Sequence, residues 1–211
     1  MKNASGFLCL LLFYCSTPSS FELEQQQTLR KLTRAGDLAR GGSRDAGRLF
    51  AEACQNFLLL DDRPHEIRCL VAHASYRIKR TESKEAGRLL DRATELSVQS
   101  GGDYRGNILA TRILLFIREK KEELAGELCN EALKLSLSSL SRKQILAYRG
   151  YLAYRKGERD LALNDFLKAR NAGDPELDSY TSIHLGKIFK EKGNFKQAEK
   201  YALKALQLDR D

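Results

Sequence analysis

The chain has 211 residues, a length that fits one or two domains. Tryptophan is absent, there are only 3 prolines, and apolar residues make up 42%, which together with abundant Ala, Leu, Glu, Lys and Arg favours helices over strands. The net charge of +8 suits an acidic partner, nucleic acid or an anionic membrane surface, but 28 acidic residues are interspersed with the basic ones, so a mixed solvated surface accounts for it as well.

The N-terminus reads as an export signal. Lys2 precedes an apolar run from Phe7 to Cys15, and small polar residues follow up to Ser20. The run is too short to span a bilayer as a helix. Residues 1–20 are therefore expected to be a signal peptide and residues 21–211 the mature domain. Two ways of processing stay open. An ordinary signal peptidase prefers an A-x-A-like site, which is missing here. Leu12-Phe13-Tyr14-Cys15 resembles the acceptor box of bacterial lipoproteins, except that Tyr14 stands where a small residue is usual. That resemblance implies lipidation at Cys15 and tethering to a membrane. If the segment is retained instead, the protein would act in the cytoplasm.

After the N-terminus the same pattern recurs along the chain. Residues 23–60 carry Gly41, Ala46, Phe50 and Ala53, with Leu29, Leu32, Ala35 and Leu38 slightly out of register ahead of them. Ile67 to Ser100 carries Leu70, Ala74, Ala86, Leu90 and Ala93. Gly106 to Ser139 carries Leu109, Phe116, Ala125, Cys129 and Ala132, without a turn glycine. Lys143 to Glu176 carries Gly150, Tyr154, Gly157, Ala162, Phe166 and Ala169. Ser179 to Asp211 carries Leu185, Gly186, Phe189, a turn at Gly193-Asn194, and Ala198, Ala202 and Ala205 on one face. Phe195 is expected to plug the turn end. The leading alanines fall at 46, 86, 125, 162 and 198, in steps of 40, 39, 37 and 36. The surplus residues are turn-forming: Gly101-Gly102, Ser138 to Ser141, and Gly173-Asp174-Pro175.

The last unit, with its Leu-Gly-x-x-aromatic step, glycine turn and following alanines, resembles a tetratricopeptide repeat. It departs from the pattern at Ser182, in place of a large aromatic, and at Arg210, in place of the closing proline. The resemblance implies an all-α protein, an α-solenoid of about five helix–turn–helix repeats, wound as a right-handed superhelix with the first helices lining its concave face. It also implies protein binding rather than catalysis. Carried onto the best repeats, the ligand-facing positions hold Asn107, Leu114 and Arg118, then Tyr151, Tyr154 and Arg155, then Tyr180, Ile183, Lys187 and Lys190. Tyrosine and arginine bring rigid area and directed hydrogen bonds, and the cations favour an acidic segment. For Tyr154 and Tyr180, packing between neighbouring repeats is an equal reading. Ser75 and Leu114 stand where the chaperone-binding members place asparagine, so a carboxylate clamp is not expected.

Nothing in the chain reads as a catalytic centre, metal site or cofactor loop. His65 and His73 are eight apart, not the four that aims two imidazoles at one metal, and His73 and His184 read as packed residues of first helices. Aromatics are not interleaved with basic residues as base-stacking surfaces require, which leaves nucleic acid without support. Once a signal is removed Cys54, Cys69 and Cys129 remain. Cys129 reads as core filler, and free thiols are the expectation throughout; Cys54 and Cys69 flank one loop, so pairing in an oxidising compartment stays open, since sequence does not fix their separation. The chain ends directly after the last helix pattern, so Ala202, Leu203 and Leu206 are expected to be left partly uncovered. Either that helix frays into solvent, or the end docks onto a partner or a second copy of the chain.

Overall fold

The structure, a computed structural model, describes residues 19–100 and 104–209. The expected lipid acceptor Cys15, nearly all of the expected signal, Gly101-Gly102 and Arg210 lie outside these residues. The described chain folds into helices α1 (Ser20–Arg40), α2 (Asp45–Leu59), α3 (Arg63–Lys79), α4 (Ser83–Ser100), α5 (Arg105–Arg118), α6 (Glu122–Leu133), α7 (Ser139–Lys156), α8 (Arg159–Ala169), α9 (Pro175–Glu191) and α10 (Phe195–Leu208). They pair in order as five antiparallel hairpins, the all-α solenoid of tetratricopeptide type that the sequence pattern implies.

Local chemistry sets the boundaries. Asp62 caps α3 by accepting from the His65 N–H, and Asp174 caps α9 by accepting from the Leu177 N–H. Each of these helices has proline in its first turn, where no N–H is needed. Ser138 and Asn194 cap α7 and α10 in the same way. Between the two helices of a hairpin the backbone must pass through the left-handed region. Gly157 and Gly193 do so at φ +85° and +74°. In the second and third hairpins Thr81 and Lys120 take the equivalent place at φ +63° and +61°. Each lies five residues ahead of the leading alanine of its second helix. The turn missing its glycine in sequence is thus still made, by a side-chain-bearing residue in a conformation that glycine adopts at lower cost.

Small residues let the helices approach. Ala46, Ala86, Ala125 and Ala162 are fully buried. A Cβ on Gly150 would sit 3.3 Å from Phe166, and one on Gly186 would sit 3.5 Å from the Ala198 carbonyl oxygen. The core is a succession of four apolar clusters along the array, centred on Phe50, Leu90, Ile113 and Phe166, so each pair buries an apolar face that alone would be wet. α1 joins this core through Leu29, Leu32, Ala35 and Leu38.

Two expectations are overturned. Cys54 and Cys69 form a disulfide across the α2–α3 junction, with their Cα atoms 5.4 Å apart. The short Leu60–Asp62 link folds α3 back against α2, which brings the inner faces of both helices together at these two positions. Phe195 does not plug the turn; it is 69% exposed. The aromatic contact that closes α9 on α10 is Phe189 stacked on Tyr201, with centroids 5.6 Å apart, and it leaves Phe195 nothing to cover.

Candidate protein-binding groove

Successive first helices touch one another, α1 with α3, α3 with α5, α5 with α7 and α7 with α9, whereas successive second helices are not in contact. Helices that pack more closely on one side curve the array toward that side. The first helices therefore form the inner wall, and the side chains on them define the groove.

The array curls far enough for its two halves to meet. Lys79, in the last turn of α3, donates to Glu176 in the first turn of α9 at 2.6 Å, although the two are far apart in sequence. Beside this bridge lies a cleft of about 630 Å³. One wall offers Ala39, Phe50, Ala72, Ser75 and Tyr76 with the cations Arg40 and Lys79 at the edge. The other offers Pro175 and Leu208 with Asp174, Glu176 and Asp209. An apolar floor between walls of opposite charge gives a bound segment both burial and orientation.

Further along, Arg118 lies close enough to Tyr148 and Tyr180 to favour ionisation of both phenols, but burial outweighs it. The Tyr148 hydroxyl is pushed up to about 12 and Tyr180 well above the ordinary tyrosine range. The two rings meet edge to face at 6.5 Å. Arg118, Tyr148 and Tyr180 thus make one amphipathic patch on the inner wall.

The other expected positions are distributed differently. Tyr151 and Tyr154 set their edges against His184 of the next hairpin at 5.7 and 6.0 Å, so their rings pack between repeats. The Tyr154 hydroxyl donates to Glu191, and the Arg159 guanidinium sits over its ring at 4.2 Å while pairing with Glu191 at 2.6 Å. The hydrogen bond to that carboxylate raises the Tyr154 phenol above its ordinary range. Arg155 pairs with Glu122 at 3.2 Å and ties the end of α7 to the start of α6. Asn107 accepts from the Ser141 hydroxyl at 2.8 Å, joining α5 to α7 where Gly106 permits close approach. Lys187 and Lys190 lie elsewhere, on the uncovered face of α9 beside a second cleft of about 590 Å³ shared with α10. Of the expected set, the inner wall brings together Arg118 and Tyr180.

Sequence reasoning missed Tyr148, Lys79 and the acidic wall. Tyr148 carried a usable signal, since it lies one turn before Tyr151 on the same helix. Lys79 and Glu176 carried none, because their meeting depends on the curvature of the whole array.

His73 and His184 are buried, and each stacks on a phenylalanine of the preceding hairpin: Phe50 at 5.6 Å and Phe166 at 4.9 Å. Burial, helped by nearby Arg77 and Lys187 respectively, lowers both to about 4, so both are neutral at physiological pH. Burial likewise pushes the Cys129 thiol up to about 12, which leaves it a core residue without nucleophilic character. Among the described residues no cluster of His, Cys, Asp and Glu is arranged to hold a metal ion.

An all-helical repeat array with an open inner wall belongs to the class of solenoid proteins. Solved structures place it there. The chain superimposes on BtubC (BKLC) of P. vanneervenii with a TM-score of 0.58 at 19% identity, covering 92% of each chain. It superimposes on MamA with a TM-score of 0.50 at 16% identity, covering 83% of this chain and 94% of that one. A third similar structure is YrrB, titled a TPR protein with an unusual peptide-binding site, at a TM-score of 0.45 and 16% identity over 92% of this chain and 94% of that one. The first two likenesses show the fold. No protein-family model and no curated protein matches the sequence.

Proposed function

We propose that the chain is a non-enzymatic protein-binding scaffold that holds an extended segment or helix of a partner against its inner wall. The observation that carries this reading is the cleft between the first and last hairpins, with its apolar floor and oppositely charged walls. Lys79 and Glu176 neutralise each other, which leaves Arg40 to favour an acidic residue at one side of the bound segment and Asp174 and Asp209 a basic residue at the other.

Export to the cell envelope is part of the proposal. It is supported by the N-terminal apolar run and by the Cys54–Cys69 bond, which suits an oxidising compartment rather than the cytosol. Lipidation at Cys15 would hold the array at a membrane. Among the described residues no helix is long and apolar enough to cross one.

Selection of displayed random peptides on the purified domain tests the groove. Enriched peptides should lose binding when Ser75→Trp fills the cleft, while Glu127→Trp on a second helix leaves it intact. Peptides that bind the filled variant equally well would refute the assignment. For Cys15, phase partitioning of native protein should move from detergent to water on Cys15→Ala, and equal partitioning of both forms would remove the anchor from the account.

A further inference from the structure

The uncovered face of the last hairpin is built differently from the junction before it. At the junction before it, α9 packs on Tyr151, Tyr154, Leu163 and Phe166. One repeat later, 36 residues on, the same places hold Lys187, Lys190, Glu199 and Ala202. The aromatic and leucine anchors have become two cations, one anion and a methyl group. Between them lies an apolar floor of Ile183, Ala205 and Leu206, with Leu206 56% and Ile183 40% exposed.

Charges of this hairpin that face the rest of the array are engaged: Glu191 with Arg159, Lys192 with Asp160, and Lys204 with Asn171. Lys187, Lys190 and Glu199 make no ion pair among the described residues. They are also segregated, the cations on α9 and the anion on α10. Since Gly186 lies against Ala198 and Ala202, Glu199 stands at the level of Lys187 and within a turn of Lys190, and Leu206 stands within a turn of Ile183.

We propose that this face binds a second copy of itself. A two-fold axis parallel to the helices would set α9 of one protomer over α10 of the other. Lys187 and Lys190 then meet the other copy's Glu199, and Ile183 meets its Leu206. Charge and apolar surface match in the same register, in both halves at once. A head-to-tail stack lacks this match, because α1, the helix that would be added, carries exposed Arg30 and Arg34 mixed with Glu22, Glu24 and Asp37 rather than a segregated anionic face. Two helices of this length present a footprint of roughly 20 Å by 20 Å, the small end for specific interfaces. The dimer is accordingly weak, with dissociation in the micromolar range, and two copies joined this way present two grooves to one partner or surface.

Sedimentation equilibrium of the full mature domain over a wide concentration range tests this. The wild type should fit a monomer–dimer equilibrium. Lys187→Glu with Lys190→Glu should weaken it at least tenfold, and so should Glu199→Lys. The three changes in one chain should restore it to within about threefold, because a two-fold interface swaps both partners together. An acidic partner protein would give no such rescue. A wild type that stays monomeric at several hundred micromolar, or a swapped chain no better than the charge-reversed ones, would overturn the proposal. Leu206→Ser serves as a second probe, and unchanged dimerisation there would also contradict it.

Discussion

The two ends of the array solve the same problem in opposite ways. Any stack of helix pairs leaves an uncovered hairpin at each end, and each such hairpin loses half its support. At the N-terminal end the first hairpin is stapled. The Cys54–Cys69 bond ties α2 to α3, Gln25 donates to Asp62 at 2.6 Å, and Lys31 pairs with Glu52 at 3.1 Å. At the C-terminal end no disulfide is present among the described residues; Arg159–Glu191, Asp160–Lys192 and Lys204–Asn171 hold the hairpin to the array, and Leu203 and Leu206 stand 60% and 56% exposed. The N-terminal end is cross-linked covalently to its neighbour, and the C-terminal end is held by non-covalent contacts alone among the described residues.

The contrast can be broken most forcefully at Phe166 and Ala202, which hold the same place in successive repeats. Phe166 is fully buried against His184, so Phe166→Ala should cost about 3–5 kcal/mol. Ala202 is exposed among the described residues, so Ala202→Phe should change stability by less than about 0.5 kcal/mol. Chemical denaturation of both variants gives the comparison, and similar losses at the two sites would mean that α10 is covered.

Reduction is the next largest effect. A bond closing 15 residues restricts the unfolded chain by about 3 kcal/mol. Cys54→Ser with Cys69→Ser should therefore lower the melting temperature, and limited proteolysis should then begin in α1 rather than α10. Initial cleavage that stays in α10 would show that the staple does not set the order of the ends.

Acid should act on both junctions. The imidazoles of His73 and His184 take up protons near pH 6.5 in the unfolded chain and only near pH 4 when folded. Stability is thus full above about pH 6.5 and falls as the pH drops toward 4, by no more than about 3 kcal/mol for each group. His184→Leu should flatten that fall for the C-terminal junction alone. An unchanged slope between wild type and variant would place the titration elsewhere.

The smallest effects belong to the turns. Thr81→Gly and Lys120→Gly relieve left-handed backbone and should each stabilise by about 0.5–1 kcal/mol, whereas Gly157→Ala and Gly193→Ala should destabilise by about as much. Melting of the four variants checks the sign.

Much of this fold was legible in sequence because small residues recur where helices must approach. Ala46, Ala86, Ala125 and Ala162 marked four of the crossings correctly, and Gly157 and Gly193 marked two turns. The third turn was not legible, since Lys120 does a glycine's work without a glycine's signature. Pairing of Cys54 with Cys69 depends on how tightly one loop folds back, which residue spacing leaves open. The groove was legible only in part. Tyr151 and Tyr154 have the composition of a binding surface, yet the same rings serve as mortar between repeats, and sequence alone does not separate these uses. The Lys79–Glu176 bridge exists only because curvature accumulates over four hairpins, a property carried by no single motif.

The groove is the centre of this account, and photo-cross-linking in the native host tests it most directly. A photoreactive residue would be placed singly at Ser75, at Tyr148 and at Glu127 of the full chain. The account predicts the same partner protein captured from Ser75 and Tyr148, on the inner wall, and none from Glu127 on a second helix. Capture from Glu127 with no adduct from either inner-wall position would contradict it.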